Sequence, residues 1–194
     1  MGGDLPDLVR DTELLADFHQ DNVTIHKKRW NHAKREIWYR QRILGHGGYG
    51  LVWLEQELDR KGKPKDKSFR AVKQIRSTKP GSNLADFVRE LEAVAKFSQE
   101  KYQDFFVKSH GWYESPEALH IAMEYCPFGD LQKYTASRGS LPEEEAKVVM
   151  RQVFRGLAHM HEEKFAHRDL KPAVCSPWPP APHKFAVSFM LTSS

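Results

Sequence analysis

His167-Arg168-Asp169-Leu170-Lys171-Pro172 stands immediately after the strongest helix signal in the chain. In that helix Pro142 occupies the first turn, and Glu143 to Glu145 complement the positive helix end. Ala146, Val149, Met150, Val153, Phe154, Leu157 and His161 recur along it as one stripe. A short helix from Asp130 to about Ser137 precedes it, after a break at Pro127 and Gly129. Before the break two strands are read, Phe105 to Trp112 and Ala118 to Tyr125, joined by the turn sequence Ser115-Pro116-Glu117. Further upstream Asn83 offers a helix N-cap, and Phe87, Leu91, Val94 and Ala95 mark one apolar face through about Phe97. Trp38 to Leu44, Leu51 to Leu54 and Phe69 to Ile75 read as a three-stranded antiparallel meander, with a Gly-rich turn and the polar loop Asp59 to Lys67 between them. Strands first and helices after define an α+β chain: a five-stranded antiparallel layer with one helix, then a helical part.

The two ends fall outside that pattern. Residues 1–36 read as a polar extension, with Leu14, Leu15 and Phe18 at helical spacing and no strand signal. Part of it belongs to a basic run, His26 to Arg42, with seven Lys/Arg against one Glu. Trp30, Trp38 and Tyr39 lie within this run, so contact with nucleic acid or acidic lipid is conceivable, but a solvated face is the expected reading. After Pro172 the composition changes abruptly. The last 22 residues hold Pro177, Pro179, Pro180 and Pro182, one Lys and no acid, and 174–194 is expected to be an irregular tail.

Composition narrows the class. In 194 residues, 40% hydrophobic and 29% charged content suit a folded chain, and no apolar run approaches the ~18 residues of a membrane span. The first residues lack a signal-peptide pattern, and Pro6 stands where a myristoylation motif wants Ser or Thr. Cys126 and Cys175 have no metal or redox spacing. These features lead to the expectation of an intracellular protein, cytoplasmic or nuclear, with no metal site of its own.

Three features carry chemistry. Gly45, Gly47 and Gly50 form GxGxxG, which lets backbone amides approach phosphates closely. A dinucleotide fold would need a helix at the last glycine and an acid about 20 residues on. Here Leu51-Val52-Trp53-Leu54 reads as a strand, and the residue 23 beyond Gly50 is Lys73. Glycines, strand and lysine describe a flap over ATP phosphates, with Lys73 of Ala71-Val72-Lys73 as a phosphate ligand. Glu90, on the following helix, is a candidate partner for it.

With His167 to Pro172 added, the chain resembles the eukaryotic-type protein kinases from about Arg42 to Ala173. Its Gly-rich loop, AVK lysine, helix glutamate and HRDLKP stand in that family's order. HRDLKP is similar to the serine/threonine branch. The resemblance implies a two-lobed fold, with a small lobe and hinge over 37–126 and part of the large lobe over 127–173. ATP would lie under Gly45, His46, Gly47, Gly48, Tyr49, Gly50 and Val52. Its adenine would meet Ala71, the gatekeeper Met123 and the hinge Glu124-Tyr125-Cys126. Lys73, oriented by Glu90, would hold the α- and β-phosphates. Asp169 would accept the substrate hydroxyl proton, and Lys171 would neutralise the transferred phosphoryl group. His167 would support the loop, and Arg168 would receive an activation-loop phosphate. Magnesium is expected for the family and a protein is the expected substrate.

The family pattern HRDLxxxN calls for asparagine at position 174, which is Val174, and no DFG follows. The match therefore reads as truncated after HRDLKP. The expectation is a kinase by family with weak or absent turnover; the alternatives are an ATP-binding regulatory fragment or an interaction module. Val149, Val153 and Leu157 are expected to lack packing partners.

Overall fold

Apolar and β-branched residues between 37 and 76, interrupted by turn sequences, pair here as strands, and strands precede them as well. The computed structural model describes residues 5–19, 22–28, 31–47, 50–76, 84–178 and 184–187. The chain divides into two compact units, Met1–Val88 with Ser109–Tyr125, and Arg89–Lys108 with Cys126–Ser194.

The first unit contains a short helix α1 (Asp7–Asp11), then β1 (Leu15–His19), β2 (Val23–Lys28), β3 (Asn31–Gly47), β4 (Gly50–Leu58), β5 (Pro64–Arg76), β6 (Ser109–Ser115) and β7 (Ala118–Glu124). They form one sheet in the order β1-β2-β3-β4-β5-β7-β6, antiparallel at every pairing. Seven strands thus stand where five were expected, and β1 and β2 come from the stretch read as a polar extension. Its helical spacing was misleading. Leu14 and Ala16 pack on the inward face and Phe18, two residues further, meets Tyr113 at its exposed rim, a period of two, whereas Leu15 lies on the opposite face. The sheet's edges also meet: the Leu14 amide donates to the Trp112 carbonyl (2.7 Å) and the Trp112 amide to the Thr12 carbonyl (3.1 Å). The Trp112 indole donates to the Val9 carbonyl (2.8 Å), and Val9 is fully buried.

The inward face mixes apolar and charged groups. Leu14 and Ala16 pack on Val72, Tyr113 and Ala122. Beside them Arg70 donates to Glu55 Oε2 through Nε (2.9 Å) and Nη2 (2.7 Å). Its guanidinium lies 4.2 Å from the Trp38 ring centroid, and its Nη2 is 3.0 Å from His26 Nε2. Both Arg70 and Glu55 are 1% exposed, so the pair is desolvated and depends on its full set of hydrogen bonds.

The helix α2 (Leu84–Phe97) lies mostly in the second unit, with α3 (Leu131–Arg138), α4 (Glu143–Glu162), β8 (Cys175–Trp178) and β9 (Lys184–Val187). Asn83, read as the cap of α2, falls outside the described residues. The Asp130 carboxylate caps α3 by accepting from the Lys133 amide (2.8 Å). Ala93, Phe97, Tyr102, Phe106 and Met160 form one core, on which Phe165 packs. Val149 and Val153 are buried with Leu131, Leu141 and Leu157, contrary to the expectation that they lack partners. The large exposed apolar residues of α4 are Met150 and Phe154. Beyond Pro172 the tail is not wholly irregular: β8 and β9 pair antiparallel from Cys175 opposite Val187 to Trp178 opposite Lys184, so Pro177 is accommodated within a two-stranded sheet that has no third strand among the described residues.

Gly111 is the tightest point of the edge closure. Its φ is +123°, and a Cβ there would come within 2.5 Å of the Thr12 carbonyl oxygen and 2.8 Å of Leu14 Cγ. Gly111→Ala is expected to cost roughly 2 kcal/mol or more in urea unfolding. An unchanged midpoint would mean that Thr12 to Leu14 do not lie on β6.

Candidate functional site

The Gly-rich turn joins β3 to β4, with Gly45 opposite Val52, His46 opposite Leu51 and Gly47 opposite Gly50. Gly48 and Tyr49 lie outside the described residues. Gly50 has φ +140°, and a Cβ on it would sit 1.9 Å from the Gln74 carbonyl oxygen, so only glycine lets β4 begin beside β5. A Cβ on Gly45 would meet nothing within 4 Å, so its role is not forced by packing.

Register places the remaining small-unit candidates together. Lys73 on β5 is opposite Val52 on β4 and Ile121 on β7, while Ala71 is opposite Leu54 and Met123. Directly paired residues share a face, as do residues two apart along a strand. Val52, Ala71, Lys73 and Met123 therefore share one face with Gly45, and Lys73 is buried. Arg70, Val72 and Gln74 take the other face, so β5 carries a locking set on one face and the candidate site set on the opposite one. Glu124 ends β7, and the division between the units falls between Tyr125 and Cys126, within the segment read as a hinge.

In the second unit, Asp169 and Lys171 are brought together, with Lys171 Nζ 2.6 Å from Asp169 Oδ2. The Asp169 amide donates to the His167 carbonyl (2.9 Å). Arg168 has φ +62°, a left-handed conformation uncommon for a residue with a side chain. The chain enters this loop from the end of α4, where the Phe165 amide donates to the Met160 carbonyl (2.8 Å) and the Phe165 ring meets Phe97 edge-on. Glu90 is buried on α2.

The sequence reading missed Glu163, which ties three segments together just beyond α4. It pairs with Lys96 at the end of α2, accepts from the Tyr102 hydroxyl (2.5 Å) and lies 3.5 Å from Lys101. These hydrogen bonds, from Lys96 first and then Tyr102, hold its carboxyl down at about 2. Nothing in local periodicity marks a polar residue past a helix end for such a role. His26, Glu55 and Arg70 were missed for the same reason.

Comparison with known proteins shows the family. The family model for the protein kinase domain matches residues 38–174, well over half of the chain. The chain is 30% identical over 150 residues to the mitogen-activated protein kinase kinase kinase MST11 of Pyricularia oryzae, covering 74% of this chain and 15% of that protein. It is 31% identical over 129 residues to the maternal embryonic leucine zipper kinase of Xenopus laevis, covering 66% and 18%. With the serine/threonine-protein kinase RAD53 of Saccharomyces cerevisiae it shares 30% over 130 residues, covering 67% and 15%. The chain thus spans less than a fifth of the length of these relatives. It belongs to the eukaryotic-type protein kinase family. No helix among the described residues is long and apolar enough to cross a membrane.

Family membership raises the question of magnesium. Position 174 is a valine, which has no donor oxygen, and no group of three or more His, Cys, Asp or Glu able to hold a metal occurs among the described residues. These residues do not fit a resident magnesium ion.

The low value of Glu163 has a definite sign. A carboxylate favoured in the folded state stabilises above its unfolded value of 4.5, and that contribution disappears as pH falls toward about 2. Glu163→Gln is expected to lower the melting temperature by a few degrees at pH 7. The gap between parent and variant is expected to close below pH 4.5, and a gap independent of pH would show that the carboxylate does not hold α2 to α4.

Proposed function

We propose that this chain takes ATP as its nucleotide ligand in the manner of a serine/threonine protein kinase, with little or no phosphotransfer of its own. The observation that carries the reading is the shared face of Gly45, Val52, Ala71, Lys73 and Met123. Backbone amides of the turn 45–50 receive the phosphates, and Lys73 neutralises the α- and β-phosphates. Glu90 is the proposed carboxylate partner that orients Lys73. Ala71, Met123 and the backbone of Glu124 to Cys126 take the adenine.

Asp169 and Lys171 supply the remaining chemistry. In phosphoryl transfer the Asp169 carboxylate takes the proton of a serine or threonine hydroxyl, whose oxygen bonds to the γ-phosphorus as the bond to ADP breaks. Lys171, already 2.6 Å from Asp169, balances charge on the moving phosphoryl group. Such transfer rests on positioning and charge neutralisation, of which metal ions supply several kcal/mol. Losing about 4 kcal/mol of that corresponds to roughly a thousandfold in rate. Val174 accordingly favours the second reading, an ATP-binding module without turnover.

A thermal melt separates these outcomes. Saturating ATP, at about 100 times its Kd, is expected to raise the melting temperature on the order of 5 °C. The rise is expected to persist in EDTA, since the chain's own residues do not fit magnesium, and to vanish in Lys73→Met. Equal shifts in parent and variant, or none in either, would contradict the nucleotide site. ADP formation measured alongside, abolished by Asp169→Asn, would favour catalysis over binding alone.

A further inference from the structure

We propose that α1, β1 and β2 form a strap that closes the small-unit sheet and is released when His26 takes up a proton. The strap joins the far edge of the sheet through the paired backbone bonds of Thr12 and Leu14 with Trp112 and through the Trp112 indole on Val9. On its other side β2 pairs with β3. Between these two seams the strap rests on the inward face, and His26 is its one buried titratable group among the described residues.

Both nitrogens of His26 are committed. Nδ1 lies 3.4 Å from the Leu15 carbonyl on β1, and a carbonyl can only accept, so Nδ1 carries the proton. Nε2 lies 3.0 Å from Arg70 Nη2, and a guanidinium can only donate, so Nε2 must present its lone pair. Closure therefore requires neutral imidazole in one tautomer. A proton added to Nε2 sets donor against donor and places a second positive charge beside Arg70.

The groups around His26 offer little compensation. On β4 the Glu55 carboxylate already accepts two bonds from Arg70, and Arg40 of β3 lies 3.6 Å from its other oxygen. His120 of β7 and Tyr113 of β6 complete the surround, with the Tyr113 ring edge-on to His26 at 4.8 Å. Burial pushes the Tyr113 phenol up, so it stays uncharged. Glu36 on β3 lies opposite His26 in register, and the same face carries two more acids, Glu57 on β4 opposite Trp38 and Glu124 on β7 opposite Arg70. The balance is against the cation: burial, then Arg70, lowers His26 to about 3, and burial with Arg40 and Arg70 lowers His120 to about 4.

The sign follows directly. Released His26 titrates near its ordinary 6.5 and closed His26 near 3, so the strap is held fully above 6.5 and loosens as pH falls below it. One proton enters from solvent for each His26 released. Between pH 7.5 and pH 5 the ratio of open to closed strap rises about thirtyfold from His26 alone. The device is independent of nucleotide binding.

Hydrogen exchange on the full chain, corrected for intrinsic rates, reads this opening segment by segment. Protection of β1, β2 and the Leu14 and Trp112 amides is expected to fall by more than tenfold from pH 7.5 to pH 5, while β4 and β5 hold. His26→Gln keeps an acceptor for Arg70 and a donor for Leu15 but cannot titrate, and is expected to remove the pH dependence. Equal protection at the two pH values, or the same loss in His26→Gln, would overturn the proposal. Should that variant not fold, imidazole NMR titration of the parent decides: two of its ten histidines are expected not to titrate above pH 5, and ten ordinary titrations would overturn it.

Discussion

The buried pair of Arg70 and Glu55 is the constraint on which the small unit is built. Two hydrogen bonds fasten β5 to β4 from the inside, and Trp38 of β3 covers the guanidinium at 4.2 Å. A sheet has a side-chain period of two, so a one-residue slip would carry Arg70 out and Lys73 in. Such a slip would expose one desolvated charge and strand the other, at a cost of several kcal/mol. The pair therefore makes the register of β5 discrete, and Lys73, three residues on, is held on the opposite face as a consequence.

The motifs of the proposed site were readable in the sequence, as were the central strands, whereas β1 and β2 were not. Glycines, lysine and the HRDLKP string are read at fixed spacings, because phosphate chemistry needs those residue types in that order. The central strands were legible from apolar runs such as Leu51 to Leu54. β2 was not, because it is inverted: Thr24 and His26 point inward and are buried, while Val23 and Ile25 face the other way. A pattern search that assumes an apolar interior misses a strand whose buried side serves an ion pair. Leu14, Ala16 and Phe18 carried a usable two-residue period, but Leu15 beside them produced an equally good helical one. In the second unit, α4 was legible as a helix and Val149 and Val153 of its stripe are buried, but Met150 and Phe154 of the same stripe are exposed. Val149 and Val153 face a core completed by Leu131 and Leu141, residues the stripe did not indicate.

The family match begins at residue 38, whereas the folded small unit begins with α1. The segment before the match therefore contributes structure rather than a loose extension. It supplies two strands, the seam on Trp112 and the imidazole that accepts from Arg70. The basic run from His26 to Arg42 is absorbed into this architecture in part: His26 is interior, Trp38 lies on Arg70, and Arg40 approaches Glu55. In the second unit Glu163 plays a comparable part with groups at the surface, linking the end of α2 to the end of α4 near the loop that carries Asp169.

A double-mutant cycle on Arg70 and Glu55, read by denaturant unfolding, tests the central claim most directly. Arg70→Met and Glu55→Leu alone are each predicted to lose about 3–5 kcal/mol, since each removes both hydrogen bonds of the desolvated pair and leaves the other charge buried, Glu55 with only Arg40 at 3.6 Å. The double substitution is predicted to lose far less than the sum, revealing a coupling of at least about 2 kcal/mol. Single losses below about 1 kcal/mol, or losses that simply add, would contradict an interior organised around this pair.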